Sequence, residues 1–384
     1  MHFSIRALAM AALAMTALGC RAEYAATYLE TSRAWGVVVA DFNGDGQDDL
    51  FITGHDADDR IWYRSADAYV PAAQVFDWVD RHDCDAADVD GNGRLDLYCA
   101  VGAGRGVGTG PKELWLQGSD GVFTLAAGHG AEDPYGRGRI PVFLDANRDG
   151  LPDIYLTNEA TQRPDGQVNH NHLFINQGGA RFLAQTTRAT GPQGHQCAER
   201  GDVNGDGWDD LVVCDVVSPA RLYVNDRAGD FEPWQTPANA VAWRSARLAD
   251  MNDDGLDDLV LIVAGNRLQV WLNTGTGMHF DAPALDVALA VNAQSVAVGD
   301  FNGDGRRDVY VVLSRTDCRT LGVDRSPDLV FEGRPRQRWA MVPQPQSEFP
   351  GCGSLAETVD DGRVLLMNGG VGHRGANYVL SWDN

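Results

Sequence analysis

One nine-residue pattern, Asp-x-Asn/Asp-x-Asn/Asp-Gly-x-x-Asp, occurs six times in this 384-residue chain. The copies begin at Asp41, Asp88, Asp145, Asp202, Asp250 and Asp300, so successive copies start 47, 57, 57, 48 and 50 residues apart. Such a period is typical of propeller blades and is longer than the repeats of common helical solenoids. The repeat, rather than the chain length, therefore determines how many domains to expect.

Short apolar runs flank the pattern, such as residues 37–39 before the first copy and 50–52 after it. β-branched and aromatic runs around a glycine turn predict two antiparallel strands. A third apolar run follows, often ending in a polar residue, and an aromatic residue such as Phe182 then follows a Gly/Asp turn. Each unit thus contains four predicted strands. A seventh copy of this third run, at 378–380, has no matching loop before it.

Radial closure of such units hides the sheet edges that an open array would expose. We therefore predict an all-β fold, a seven-bladed β-propeller formed by residues 20–384 as a single domain. The chain ends soon after a third strand, so residues 26–29 are expected to supply the missing outer strand and close the ring. An eight-bladed ring or an open arc is the alternative, and the strand count disfavours both.

The residue types of the repeated loop are those that bind calcium. In the EF-hand, side-chain oxygens come from positions 1, 3 and 5, a backbone carbonyl comes from position 7, and glycine at position 6 permits the turn. All six loops keep this scheme and end in a carboxylate at position 9, which predicts about six Ca²⁺ sites between strands 1 and 2 of six blades. The alternative is that these are simply good hairpin turns, but six copies with the same ligand positions favour a metal.

The predicted ligands, with position 7 acting through its carbonyl, are Asp41, Asn43, Asp45, Gln47, Asp49, Asp88, Asp90, Asn92, Arg94, Asp96, Asp145, Asn147, Asp149, Leu151, Asp153, Asp202, Asn204, Asp206, Trp208, Asp210, Asp250, Asn252, Asp254, Leu256, Asp258, Asp300, Asn302, Asp304, Arg306 and Asp308. The protein fills all of these positions, which favours a structural role for the ions.

These loops and the strand–aromatic–Asn–Gly pattern resemble FG-GAP (VCBS-type) repeats, which build the propeller of integrin α subunits and of many bacterial surface proteins. The resemblance covers nearly everything after residue 30. It implies the propeller fold and calcium binding, and it does not imply one activity.

The first residues predict an export signal. Arg6 precedes an apolar stretch at 7–18 that is too short to span a bilayer, and small residues then lead to Cys20. This resembles a bacterial lipobox, so residues 1–19 would be a lipoprotein signal peptide and Cys20 the lipidated N-terminus. The alternative is a plain secretory signal cut near Ala22. Either way we expect an exported protein, as an outer-membrane lipoprotein or in the periplasm or at the cell surface.

Six cysteines remain once Cys20 is set aside, and disulfides are the default in an oxidising compartment. Two pairs straddle the second and fourth loops, where cysteines can face one another across a hairpin. The predicted disulfides are Cys84 with Cys99, Cys197 with Cys214, and by elimination Cys318 with Cys352.

The charge balance, 31 Lys and Arg against 54 Asp and Glu, gives a net charge of −23 and argues against nucleic-acid binding. It also leaves a lipid anchor as the expected route to a membrane. Basic and histidine residues gather on loops opposite the calcium loops, where function tends to concentrate. The candidate ligand-face residues are His170, His172, Arg315, Arg319, His373 and Arg374; the alternative is that they are only solvated loop residues.

Two classes of function fit these features. The first, which we favour, is a surface binding or adhesion module that recognises a glycan or a protein. The second is an enzyme similar to polysaccharide lyases that carry calcium-loop propellers, with His170, His172, Tyr135 and Arg315 as candidates for proton abstraction beside a uronate. No Gly-x-Ser-x-Gly, His-Glu-x-x-His or Walker motif supports an enzyme.

Overall fold

The structure is a computed structural model. It describes residues 24–30, 34–54, 58–65, 68–103, 109–159, 166, 168–190, 197–214, 220–234, 242–263, 266–275, 282–289, 293–301, 304–313, 329–335, 338–342, 355–359, 363–367 and 376–382. Of residues 24–30, 355–359, 363–367 and 376–382 the structure describes only the backbone.

The described residues form strands with one helical turn, the 3-10 helix Arg188–Thr190. The first strand is β1 (Tyr24–Glu30). Blade 1 contains β2 (Ala34–Ala40), β3 (Asp49–Gly54), β4 (Arg60–Ser65) and β5 (Ala68–Pro71). Blade 2 contains β6 (Asp80–Ala87), β7 (Asp96–Ala103), β8 (Glu113–Gln117) and β9 (Phe123–Ala126). Blade 3 contains β10 (Gly138–Leu144), β11 (Asp153–Asn158), β12 (His172–Asn176) and β13 (Phe182–Gln185).

The remaining strands repeat this arrangement. Blade 4 contains β14 (Cys197–Gly201), β15 (Asp210–Cys214), β16 (Arg221–Asn225) and β17 (Phe231–Trp234). Blade 5 contains β18 (Trp243–Ala249), β19 (Asp258–Val263), β20 (Arg267–Trp271) and β21 (Leu285–Ala288). Blade 6 contains β22 (Ala293–Gly299), β23 (Asp308–Leu313), β24 (Leu329–Arg334) and β25 (Arg338–Val342). The last strands are β26 (Leu355–Val359), β27 (Arg363–Met367) and β28 (Ala376–Trp382).

Each of the six blades is a four-stranded sheet of consecutive, antiparallel strands. The fourth strand of each blade leads to the first strand of the next, and the first strands of successive blades lie against each other. The resulting arrangement is an all-β propeller. Every calcium-type loop connects strand 1 to strand 2 of its blade, as predicted, so all six loops lie on one side of the ring, which we call the loop face. The other side is the opposite face.

The prediction of seven blades is corrected to six blades that are each a run of four consecutive strands. The remaining four-stranded sheet is a composite, with strand order β1-β28-β27-β26. In it β1, from near the start of the chain, pairs antiparallel with β28, with Tyr24 opposite Trp382. Strand β26 lies next to blades 1 and 6. The residues expected to act as a closing strand, 26–29, therefore form part of this sheet.

The core consists of apolar clusters between neighbouring blades. One joins blades 3 and 4 through Leu173 and Leu211, and another joins blades 4 and 5 through Val212 and Leu261. The second strand of each blade has sheets on both sides, so its residues are buried at nearly every position, as in β15 and β19. Burial of such a side chain stabilises the fold by about 1.5–3 kcal/mol. Packing between blades, rather than within one sheet, thus holds the ring together.

No helix in the described part of the chain has the length and hydropathy needed to cross a bilayer. The predicted signal peptide and Cys20 lie outside the described residues, so both remain predictions.

Candidate functional site: six acidic loops and a pinned opposite face

The six loops share one backbone conformation at the positions that the structure describes. Glycine at position 6 has a φ between 78° and 84° in all of them, a region that residues with a Cβ rarely adopt. Position 4 also has a positive φ where it is described, and it is occupied by Arg148 (57°) in blade 3 and by Asp253 (62°) in blade 5. The turn geometry therefore requires glycine at position 6 and tolerates other residues at position 4.

The carboxylate at position 1 organises its own loop. In blade 1, Asp41 Oδ1 accepts the backbone N–H of Asp45 at 3.1 Å and Oδ2 accepts that of Gly46 at 2.7 Å. The other five loops repeat both bonds, at 2.9–3.1 Å and 2.7–2.9 Å. These bonds fold the loop around the carboxylate, and they account for the identical placement of positions 1, 5 and 6.

The carboxylate at position 9 is fully buried and joins the loop to the rest of its blade. Asp153 Oδ2 accepts the N–H of Ala146 at 3.0 Å, and its Oδ1 accepts the N–H of Asn176, at the end of the third strand, at 2.8 Å. The same pair of bonds occurs at Asp49, Asp96, Asp210, Asp258 and Asp308. Position 9 is thus a structural acceptor as well as a predicted ligand.

Burial raises the pKa of these six carboxyl groups. The pKa rises to about 6 for Asp49 and Asp96, and to about 7 for Asp153, Asp210, Asp258 and Asp308. Desolvation is the main cause; the backbone N–H bonds oppose it, and the carboxylates at positions 1 and 5 (1 and 3 in blade 2) raise the pKa further. A nearby cation would relieve this repulsion and favour the charged forms.

The donor set of blade 2 fits a divalent cation of the size of Ca²⁺. One oxygen from each of Asp88, Asp90 and Asp96 lies within 4.8 Å of the other two. Calcium binds oxygens at about 2.3–2.6 Å, so one ion can contact three oxygens at these separations. It is the one such group of three among the described residues when only His, Cys, Asp and Glu are considered. In the other loops position 3 is asparagine, and Asn302 of blade 6 lies outside the described residues.

Two of the predicted disulfides are confirmed. Cys84 is bonded to Cys99 and Cys197 to Cys214, and in each pair the cysteines are directly opposite in the register of strands 1 and 2. They brace the hairpins that carry the second and fourth loops. Cys318 and Cys352 lie outside the described residues.

On the opposite face a buried lysine holds the connection between blades 2 and 3. Lys112 Nζ donates to the carbonyls of Gly110 at 3.1 Å, Asp133 at 3.1 Å and Gly136 at 2.6 Å. Burial lowers the pKa of Lys112 to about 8, although the carboxylate of Asp133 opposes this shift. Because the ammonium already has three acceptors, Lys112 anchors this segment and is not available to a ligand.

The carboxylate of Asp133 completes the anchor. Its Oδ2 accepts from Asn158 Nδ2 at 3.0 Å, and its Oδ1 lies 3.5 Å from His172 Nε2. Burial favours a raised pKa, but the neighbouring His172 and Lys112 outweigh it and hold the pKa of Asp133 below its ordinary value. Asn158 also donates to the carbonyl of His170 at 2.9 Å, so the end of β11 is tied to both loops around it.

A buried arginine makes a similar anchor between blades 1 and 2. Arg81 is fully buried and donates to Asp59 and Glu113, both at 2.7 Å. Burial raises the pKa of Asp59 to about 7 even though the charge of Arg81 lowers it. The opposite face of blades 1–3 is therefore held by buried charged groups.

Exposed residues surround these anchors. Tyr135 is 46% exposed and Val168 is 51% exposed, and the amide of Asn169 approaches the Tyr135 carbonyl at 3.4 Å. Nearby, Glu159 pairs with Arg139 and, at 3.1 Å, with Arg137. A polar and aromatic surface thus lies on a rigid base.

The structure brings some of the candidate ligand-face residues together. The rings of His170 and His172 are 4.6 Å apart, and His172 also stacks on Phe174 at 5.2 Å. Arg315, Arg319, His373 and Arg374 lie outside the described residues. The sequence reasoning missed Asp133 and Asn158 as partners of these histidines, and no motif marks them.

Comparison with known proteins supports the repeat. The sequence matches the FG-GAP-like repeat over residues 41–99, 88–156, 202–261 and 250–311, which together make up more than half of the chain. A search of curated proteins finds no match.

Two solved structures of BBS1N in complex with ARL6DN, one soaked with lead and one with mercury, have a similar fold, each with a TM-score of 0.57 and 10% identity. The match covers 93% of this chain and 98% and 97% of those chains. At this identity the likeness concerns the fold alone.

Proposed function

This chain belongs to the FG-GAP-like repeat family, and from that premise we propose that it is a calcium-stabilised binding module that recognises a glycan or a protein through its opposite face. The fold is an FG-GAP β-propeller, which is compatible with binding and adhesion. The proposal has two parts, a structural role for the loop face and a recognition role for the opposite face.

The calcium part rests on the donor set of the loops. The residues that would hold each ion are those at positions 1, 3, 5, 7 and 9, represented in blade 2 by Asp88, Asp90, Asn92, the carbonyl of Arg94, and Asp96. Bound calcium would supply positive charge among carboxylates that otherwise repel one another. The chain's own residues shape each loop, since positions 1 and 9 already accept backbone N–H groups.

One observation carries the recognition part: the segment that presents Tyr135 is fixed from below by Lys112. An exposed aromatic residue on a rigid base loses little conformational entropy on binding, which is the property of hot-spot residues. BBS1N, whose fold is similar, was solved in complex with another protein, ARL6DN. That complex supports a protein as one class of ligand.

We further propose that the protein is exported and held to a membrane by lipid on Cys20, with the propeller outside the bilayer. The lipobox-like sequence before Cys20 supports this. The negative charge of −23 supports a lipid anchor over electrostatic attachment to anionic lipid.

The lyase alternative has one observation in its favour: the rings of His170 and His172 are 4.6 Å apart, and the Tyr135 carbonyl lies 3.4 Å from the amide of the adjacent Asn169. The geometry disfavours His172 as a base, however. Its side chain is only 15% exposed and is stacked on Phe174. A catalytic base needs to reach the proton that it abstracts.

The experiment uses the full-length protein in excess CaCl₂ and screens it against an array of neutral and acidic glycans and against purified envelope proteins. Tyr135→Ala is then compared with Val122→Ala. These two residues have similar exposure, 46% and 47%, but Val122 is in the turn between β8 and β9, on the loop face.

We expect Tyr135→Ala to weaken binding of the identified ligand about 30-fold, the effect of losing a hot spot of about 2 kcal/mol. Val122→Ala should leave the affinity unchanged. The recognition part is wrong if Val122→Ala, and not Tyr135→Ala, abolishes binding. Absorbance growth from unsaturated uronate products on acidic polysaccharides would instead establish the lyase.

A further inference from the structure

In four blades a residue with a side-chain amide lies at the end of the third strand or, in blade 5, two residues beyond it, and this amide reaches the loop of the preceding blade. Asn225 of blade 4 donates from Nδ2 to the carbonyl of Ala146 in blade 3 at 2.8 Å, and Asn176 of blade 3 donates to the carbonyl of Val89 in blade 2 at 3.0 Å. Gln117 donates to Phe42 at 2.9 Å, and Asn273 donates to Val203. All four amides are buried.

Each accepting carbonyl belongs to position 2 of an acidic loop, between two predicted calcium ligands. The N–H of the same residue donates to the carboxylate at position 9, as Ala146 does to Asp153 at 3.0 Å. The side chain of this residue is buried in the interblade core, with Ala146 fully buried. Hydrogen bonds on both sides of position 2 fix the orientation of its two peptide groups, and these groups lead directly to positions 1 and 3.

The bonds form one chain around much of the ring. Asp153 accepts from Ala146 and also from the N–H of Asn176, whose side chain in turn donates to Val89 of the preceding blade. The same sequence of contacts runs from Asn273 in blade 5 to Asp49 in blade 1.

In blade 6 the corresponding residue is Gly333, which keeps the backbone bond to Asp308 at 2.8 Å but has no side-chain amide to donate.

From this pattern we infer that Gln117, Asn176, Asn225 and Asn273 are positioning residues, each of which tunes the calcium affinity of the loop in the preceding blade. The inference rests on the proposed occupation of these loops by calcium. It adds that the acidic loops of blades 1–4 are each completed by the following blade, so the loops of blades 1–5 are coupled in one direction along the chain.

The test compares Asn225→Ala and Asn176→Ala with Gln185→Ala in the full-length protein. Gln185 donates from Nε2 to the carbonyl of Gly229 at 2.7 Å, which is also a bond between blades 3 and 4, but it starts from the outer strand β13. Hydrogen exchange of peptides covering each loop is measured without calcium and along a CaCl₂ titration. The concentration that gives half-maximal protection reports the affinity of each loop.

We expect Asn225→Ala to weaken calcium binding about fivefold at residues 145–153, which corresponds to one hydrogen bond of about 1 kcal/mol. Exchange there should also quicken without calcium. Asn176→Ala should have the same effect on residues 88–96. Gln185→Ala should leave the calcium affinity of every loop unchanged. A general loss of stability would affect the same loops in both variants. Coupling instead predicts a different affected loop in each variant.

Several results separate the outcomes. No calcium protection of any loop in the wild type would overturn the calcium proposal itself. Calcium protection that is unaltered in the preceding loop of both asparagine variants would overturn the coupling alone. An effect confined to each variant's own loop would also overturn it. Such an effect would come from the second bond of the same amide, which Asn176 makes to the carbonyl of Pro152 at 3.1 Å and Asn225 to that of Asp209 at 3.4 Å. If Asn225→Ala does not fold, Asn176→Ala still tests the coupling. The wild type also tests it, because the loop at 250–258 receives no amide bond from Gly333 of blade 6. Coupling therefore requires a weaker calcium affinity at 250–258 than at 145–153.

Discussion

The six buried carboxylates at position 9 give the loops a definite dependence on pH. Without metal their pKa values are about 6 to 7 in the folded protein, against about 3.9 in an unfolded chain. The folded state therefore binds more protons than the unfolded state between these values. These six groups consequently make the metal-free protein less stable as the pH rises from 5.0 to 7.5.

The size of the effect follows from the shift. A rise in pKa of about two, as for Asp49 and Asp96, is equivalent to about 3 kcal/mol for one fully buried carboxyl group, and the other four groups rise by about three. Water reaches the rim of each loop and screens the charges, so we use about 1 kcal/mol for each loop, or about 6 kcal/mol for six. With an unfolding entropy of about 2.1 cal/mol/K per residue over 384 residues, this corresponds to about 7 °C in Tm.

Calcium should reverse this loss, because it binds the charged carboxylates and must compete with protons at low pH. The assay is the Tm in excess CaCl₂ minus the Tm in EDTA, measured at pH 5.0 and at pH 7.5. We expect the difference to be larger at pH 7.5 by about 7 °C. Taking the difference at each pH cancels groups outside the loops, such as His129, whose pKa is lowered mainly by burial.

Matched variants locate the effect. Asp210→Asn should remove about one sixth of the calcium-dependent gain at pH 7.5. Asp286→Asn should remove none, since Asp286 lies outside the loops and pairs with Arg267 at 2.8 Å. Equal calcium shifts at the two pH values, or no shift at either, would refute the reasoning.

Three further predictions concern the anchors and braces of the ring. Lys112→Met should lower the free energy of unfolding by about 2–4 kcal/mol, since three buried carbonyls lose their donor; chemical denaturation measures it. Gly136→Ala should lower the Tm, because a Cβ there would overlap the Asp133 carboxylate. Replacing Cys197 and Cys214 with serine should cost about 3 kcal/mol in urea denaturation, given the 17-residue separation of the pair.

Each of these has a control in the chain itself. Arg137→Met removes a partly exposed cation from the same face, and a loss as large as that of Lys112→Met would contradict the anchor role. Gly118→Ala should lower the Tm less than Gly136→Ala does. The added Cβ would approach the Asp120 side chain at 2.8 Å, but in an exposed turn. Reductant should reproduce the effect of the cysteine variants, and mass spectrometry showing free thiols at Cys197 in the untreated protein would contradict the disulfide.

Several features of the loops were predictable from the sequence because they depend on local chemistry. The spacing of Asp145, Gly150 and Asp153 predicted a turn between two strands, and the structure has it there. Cys197 and Cys214 stand at equal distances from a hairpin turn, so their pairing followed from antiparallel register. The polar residue that ends the third strand, Asn225 for example, was visible in the repeat, but the sequence did not show what it binds.

The opposite face was much less predictable. Lys112 belongs to a loop of this face and is buried against three carbonyls, which its charge and its place in the sequence do not show. One of its partners, the carbonyl of Asp133, comes from a different connection 21 residues away, and no motif marks it. The seven-blade prediction was wrong: six sheets are runs of four consecutive strands, and the remaining sheet combines β1 with β26, β27 and β28 from the other end of the chain.

By itself the sequence determined the repeat, the four-stranded blade, the acidic loops and two disulfides, since each is encoded within a few tens of consecutive residues. Only the tertiary structure decided which groups meet across blades. The bond from Asn225 to Ala146 joins residues 79 apart, and that from Gln117 to Phe42 joins residues 75 apart. Such contacts arise when radial packing brings the loop of one blade against the third strand of the next, and a periodic sequence carries no local signal of that distance.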